Sequence, residues 1–205
     1  MPESAVPKLE FFFDFASPNA YYCYRVLPGI LERTGAELEI VPTLLGGLFK
    51  ITGNQAPFVA FGGIKGKLEY DMLESKRFQE KHGLNDFVFN SHFPMNTITI
   101  MRGLVAAREL GVESDYIEAV LAAMWEQGKK MDDPEVVASV WREAGLDSDA
   151  LMEMIQTDPI KDTLKQTTQA AADRGAFGVP TFFVGSEMFF GKERLGQVEE
   201  ELLKR

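Results

Sequence analysis

Ser17 stands where an apolar run ends and a helical pattern begins, with Pro18 directly after it. Serine is a favoured N-cap and proline a favoured first helical residue, so the pair marks a helix start. The same geometry attracts an anion, because the free N–H groups of the first turn and the positive end of the helix dipole converge there. A thiolate held at this point would accept a hydrogen bond from the Ser17 hydroxyl. Its pKa would fall, and a bound thiol would become nucleophilic near neutral pH. A cap and a thiolate site are compatible readings of one serine.

Three further groupings could serve a ligand. Gly178-Val179-Pro180-Thr181 is a turn that opens an apolar run, and a proline there is also an ordinary strand-edge feature. Gly53-Asn54-Gln55-Ala56-Pro57 is built from turn formers, yet the Asn54 amide can serve a carboxylate or a carbonyl. Phe190-Gly191-Lys192-Glu193-Arg194 enters a terminal helix whose N-terminus suits a ligand carboxylate, while Glu193 could meet an ammonium. The plainer reading of that segment is a solvated first turn.

Other chemistries find little support. His82 and His92, the only histidines, have no metal-ligand spacing and no cysteine partner, so no metal is expected. Ser17 lacks the G-x-S-x-G elbow of a hydrolytic triad. Cys23 is the only cysteine, which rules out an intrachain disulfide and a CxxC pair and points to a reducing, cytoplasmic setting. It falls within the first helix, where a buried, inert thiol is the default. A formal net charge of −10 argues against nucleic acid as a partner. No apolar run reaches the roughly 20 residues of a membrane span, and no signal segment is apparent at the N-terminus.

The elements that must position these residues follow from periodicity. Leu9 to Phe15 is a buried strand, and apolar residues from Ala20 to Leu31 recur at helical spacing. Glu37 to Leu44 alternates as a second strand, giving a β-α-β opening with a right-handed crossover. Gly46 to Gly66, rich in Gly, Asn, Pro and Phe, reads as an ordered loop. Helices are expected over 70–82, 96–110, 114–128, 133–144, 147–156 and 158–173. Gly178 to Val184 is a turn followed by an apolar strand run, Gly185-Ser186 is a tight turn, 188–190 is a second short strand, and 195–203 is a terminal helix. This order is that of an α/β thioredoxin-like fold carrying a large all-helical insertion. Residues 1–50 and 175–205 would form the thioredoxin-like domain, and 51–174 the loop and helical insertion. In that architecture Pro180 would be cis and would lie beside the N-terminus of the first helix. Val179 would then offer its backbone to an extended peptide.

Together D-F-A-S-P-N-A-Y, T-G-N-Q-A-P, H-F-P-M-N-T with Arg102, F-G-V-P-T-F-F-V and F-F-G-K-E-R-L, in this order from about Leu9 to Leu203, resemble the 2-hydroxychromene-2-carboxylate isomerase family. That family is related to kappa-class glutathione transferases and more distantly to DsbA-like oxidoreductases. The resemblance implies glutathione as cofactor and Ser17 as the residue that activates its thiol, with Asn19 beside it. It implies that Asn54 contacts glutathione, that Val179 pairs with its backbone before cis-Pro180, and that Lys192 and Glu193 hold the γ-glutamyl end. Relatives usually carry a small polar residue followed by Asp at the last two positions, so Glu193, one methylene longer, must aim its carboxylate differently. Asn96 and Arg102 are placed near a small aromatic or conjugated carboxylate substrate, and a homodimer is implied. The reaction implied is reversible thiolate addition, rotation and elimination, with no net loss of glutathione. A kappa-like transferase or peroxidase would share this site and consume the thiol. A thioredoxin-fold binding module that has lost catalysis is a third reading. A thiol-disulfide oxidoreductase is excluded, because Ser17 and Ala20 stand where two cysteines are needed.

Overall fold

The computed structural model describes residues 6–204. Strand β1 (Lys8–Phe13) leads through a turn into helix α1 (Pro18–Thr34), and β2 (Glu37–Pro42) follows. The chain then runs through α2 (Leu45–Thr52), α3 (Pro57–Ala60), α4 (Lys67–His82), α5 (Ile98–Glu109), α6 (Glu113–Trp125), α7 (Pro134–Glu143), α8 (Ser148–Met154) and α9 (Asp158–Asp173). It returns through the hairpin β3 (Thr181–Val184) and β4 (Glu187–Phe190), a 3-10 turn at Lys192–Arg194, and α10 (Leu195–Leu202). The sheet order is β2-β1-β3-β4, with β1 parallel to β2 and antiparallel to β3. This is the mixed thioredoxin-like sheet expected from the sequence, with a helical insertion between β2 and β3.

Strand β1 is central and carries apolar side chains to both faces. Leu9, Phe11 and Phe13 point one way, by the two-residue period of a strand, into the main core with Phe182, Tyr21, Leu104 and Trp125. Phe11 stacks on Phe182 with ring centroids 4.8 Å apart. Phe12 points the other way and meets Phe183, Leu48, Ala171 and Val179 in a second cluster. Glu10 lies on that second face, where Arg174 pairs with it and caps the Phe183 ring at 3.8 Å.

The segment expected as a loop over 46–66 is instead largely helical, holding α2 and α3. Gly46 and Gly47 hide α2 from any propensity reading, since glycine disfavours helix by about 1 kcal/mol per residue. Tertiary contacts override that cost. Gly47 lies against α9, where a Cβ would come to 3.4 Å from Thr168. Leu44, the N-cap, has no side-chain oxygen to offer. The first N–H of α2 is instead accepted by Asp14, 31 residues away in sequence. The helix expected from Asn96 begins at Ile98, with Thr97 as the cap residue. The Asn96 Oδ1 accepts from the Ile98 N–H at 3.0 Å.

Helix α4 packs through its inner face on α1. Phe78 lies 5.8 Å from the Tyr22 ring, and the Gln79 amide donates to the Tyr22 hydroxyl at 2.7 Å. No residue of α4 is fully buried, and Tyr70, Met72 and Leu73 are exposed on its outer face.

Candidate functional site

Ser17 caps α1 from an extended backbone conformation, with Pro18 at the first helical position. Its Oγ accepts from the Ala20 N–H at 3.2 Å and donates to the Val179 carbonyl at 3.2 Å. The side chain is thus held at the positive end of a 17-residue helix. The Val179–Pro180 peptide is cis, as the sequence predicts. Ser17 and Val179 are both almost fully buried, and Asn19 is half-buried in the first turn of α1.

The other predicted residues reach this point through short hydrogen-bonded links. The Gly191 N–H donates to the Pro180 carbonyl at 3.0 Å, which fixes the Lys192–Glu193 turn beside the cis-proline. Gly191 has φ +94, a conformation open to glycine, so the turn requires it. The Asn54 amide donates to the Phe177 carbonyl at 2.7 Å, and its Oδ1 accepts from the Gln55 N–H. Asn54 is exposed, yet it ties the loop after α2 to the segment that precedes Val179.

Lys192 is 5% exposed, with its ammonium paired to the Glu193 carboxylate and lying 5.6 Å from the Phe78 ring centre. Glu193 is mostly exposed. A cleft of about 390 Å³ opens here between α1, α4 and the start of α10, lined by Val26, Ile30, Phe78, Lys192, Glu193 and Leu195 among others. Cys23 lies within electrostatic reach of the Lys192–Glu193 pair. It is fully buried, and burial pushes its thiol well above the ordinary range, so it stays protonated and unreactive.

Asn96 is exposed and half a turn before α5. Arg102 is half-buried in α5, and its guanidinium has no ion pair or hydrogen bond among the described residues. Thr97, the cap residue of α5, is buried.

Two features of this region escaped the sequence reading. One is an aromatic patch. The Trp125 Nε1–H donates to the Phe15 carbonyl at 2.9 Å, two residues before Ser17. On this tryptophan lie Phe89 and Phe93, each 6.1 Å away, and Phe58 meets Phe93 at 5.7 Å. Phe58 and Phe89 remain exposed. The H-F-P motif contributes to this patch through Phe93, but Phe58 and Phe89 carry no local signal. The other is Asp14, fully buried one strand-end before the cap. A carboxylate inside LEFFFDF was the available clue, since a charge among aromatics must find donors.

A thioredoxin-like sheet, a capped first helix and a cis-proline loop facing the cap define a class of protein. The chain belongs to the DSBA-like thioredoxin domain family, whose model matches residues 8–203. It is similar to the 2-hydroxychromene-2-carboxylate isomerase of Pseudomonas putida, 26% identical over 194 residues covering 95% of this chain and 93% of that protein. It is likewise similar to glutathione S-transferase kappa 1 of Rattus norvegicus, 27% identical over 202 residues covering 91% of this chain and 87% of the transferase. Among solved structures, a selenomethionine form of 2-hydroxychromene-2-carboxylate isomerase superposes with a TM-score of 0.81 at 26% identity, covering 94% of this chain and 93% of that one.

Proposed function

We propose that the protein is a glutathione-dependent isomerase of conjugated aromatic carboxylates, of the kind its isomerase relatives are named for. The observation that carries the reading is the Ser17 hydroxyl, placed at the N-terminus of α1 and resting on the carbonyl of the residue before Pro180. Glutathione, when bound, would supply a thiolate that adds reversibly to the substrate's conjugated double bond, letting it turn as a single bond before elimination. The protein's own part is to bind, orient and ionise.

The residues fit the thiol end of such a ligand. The Val179 N–H has no acceptor among the described residues, and the Val179 carbonyl holds only the Ser17 hydroxyl. A ligand amide N–H donating to that carbonyl would free the hydroxyl proton to turn to the sulfur. Ser17 would then stabilise the thiolate together with the helix dipole. The fit at the other end is different, because Glu193 faces Lys192 and must serve both it and a ligand ammonium.

The aromatic patch of Phe58, Phe89 and Phe93 supports a planar second substrate, and the unpaired Arg102 supports its carboxylate. Arg102→Ala should raise KM for the carboxylate substrate about tenfold while leaving glutathione affinity within about twofold, as expected for a charge-assisted hydrogen bond. Steady-state kinetics with each substrate varied in turn checks both halves. The kappa-like alternative is separated by stoichiometry. An isomerase converts substrate with free thiol unchanged at the end, whereas a transferase yields a conjugate mole for mole.

We also propose a homodimer in a reducing, cytoplasmic setting. The outer face of α4 offers Tyr70, Met72 and Leu73, with Glu69 before them and Arg77 after. A two-fold axis near Leu73 would pair the helix with its copy and set Glu69 against Arg77. Light scattering should give twice the monomer mass, and Leu73→Glu should return it to the monomer value.

A further inference from the structure

A buried carboxylate, with no cation on it among the described residues, stands directly behind the cap. Asp14 is fully buried, and burial raises its pKa above the ordinary carboxyl range against the pull of its hydrogen bonds. Its Oδ1 accepts from the Ala16 N–H at 2.9 Å and its Oδ2 from the Leu45 N–H at 2.7 Å. Its main-chain carbonyl accepts from the Ser17 N–H at 3.2 Å. The turn that delivers Ser17 is therefore closed on both sides by one residue.

The links continue into a ring. Leu45 is the first residue of α2, and α2 runs to Gly53 and Asn54. The Asn54 amide holds the Phe177 carbonyl, and two residues later the Val179 carbonyl holds the Ser17 hydroxyl. Asp14, α2, Asn54, the cis-proline segment and Ser17 thus form one closed circuit, in which the hydrogen bonds of Asp14 join the Ser17 turn to α2. Losing the Asp14 side chain would leave two part-buried N–H groups, of Ala16 and Leu45, to find new partners, and the cap would be free to shift relative to Val179.

We propose that Asp14 is a positioning residue: it sets the place of the Ser17 hydroxyl relative to Val179, and through α2 it sets the place of Asn54. The inference rests on the reading of Ser17 as the thiolate-stabilising group. It differs from a through-space charge effect in sign. Removing a negative charge near a thiolate would lower the thiol pKa, whereas loosening the hydroxyl that stabilises it raises the pKa.

The test uses the full chain and reduced glutathione, following ionisation of the bound thiol by ultraviolet absorbance against pH. Two variants are compared with the wild type. Asp14→Asn keeps the size and removes one acceptor. Leu45→Pro removes the N–H that Asp14 Oδ2 receives, along with a leucine side chain packed on the second cluster. It is paired with Leu45→Ala, which trims that side chain and keeps the N–H. The position is the first of the helix, where proline is accepted, and follows Leu44, whose backbone is already extended. Asp14→Asn and Leu45→Pro should both lower the thiolate fraction at neutral pH about threefold to tenfold, whereas Leu45→Ala should not. In a Ser17→Ala background neither should lower it further. If both variants bind glutathione and ionise its thiol as the wild type does, Asp14 has no such role. A thiol pKa that falls in Asp14→Asn, or losses that simply add to Ser17→Ala, would also overturn it. A wild type that leaves the thiol pKa at its free value overturns the reading of Ser17 instead, and this inference with it.

Discussion

Ser17→Ala is expected to slow isomerisation about tenfold to a hundredfold, with glutathione still bound. The hydroxyl makes one hydrogen bond to a charged acceptor, and such bonds contribute about 1.5–3 kcal/mol. Since about 1.4 kcal/mol corresponds to a factor of ten in rate, the loss falls in that range. The helix dipole survives the substitution, so some thiolate stabilisation remains. Affinity should change little, because Val179 and the ligand's far end still hold the peptide. A drop in kcat at nearly constant Kd is the signature of a group acting on the thiolate rather than on binding. The structural cost is that of a cap, about 1 kcal/mol, so melting curves of the variant must be read beside its kinetics. Ser17→Thr provides a control that keeps the hydroxyl and the cap.

The second large effect is expected at the Lys192–Glu193 pair. Lys192 is a desolvated ammonium with Phe78 as its other neighbour, so Glu193 is what compensates its charge. Glu193→Ala should weaken glutathione binding at least tenfold and lower stability by about 1–2 kcal/mol. That is less than for a fully buried pair, because Glu193 itself reaches solvent. Adding Lys192→Met should recover most of the stability, since an apolar side chain of similar length removes the uncompensated charge. It should not recover binding, which needs the Glu193 carboxylate for the ligand ammonium. Calorimetric titration and urea denaturation separate the two outcomes. Recovery of both by the double substitution would mean that Glu193 serves only Lys192.

The contrast between these residues shows what a linear sequence carries. The strand before Ser17, the cap, the proline after it and the cis-proline turn are local patterns, and all appear in the structure at or within a few residues of their expected places. Helices α4 to α9 were legible for the same reason, through their apolar spacing and the glycines that end several of them. Helix α2 was not. Its two glycines disguise it, although Gly47 lies against α9, and the partner of its first N–H is a carboxylate just beyond the end of β1. Likewise Lys192 and Glu193 stood out as a ligand-holding turn, but nothing in the sequence announces that Phe78 of α4 will cover the ammonium. Long-range partners, and the positions whose local propensity they override, are what the sequence leaves implicit.

The central claim is that this fold ionises a bound thiol through Ser17. The most direct measurement is the pH titration of reduced glutathione bound to the wild-type protein, read by thiolate absorbance with Ser17→Ala alongside. The account predicts a midpoint below that of free glutathione, by about one to two pH units from the hydrogen bond alone, and a return most of the way in the variant. Binding with an unshifted midpoint, or no binding at millimolar glutathione, would contradict it.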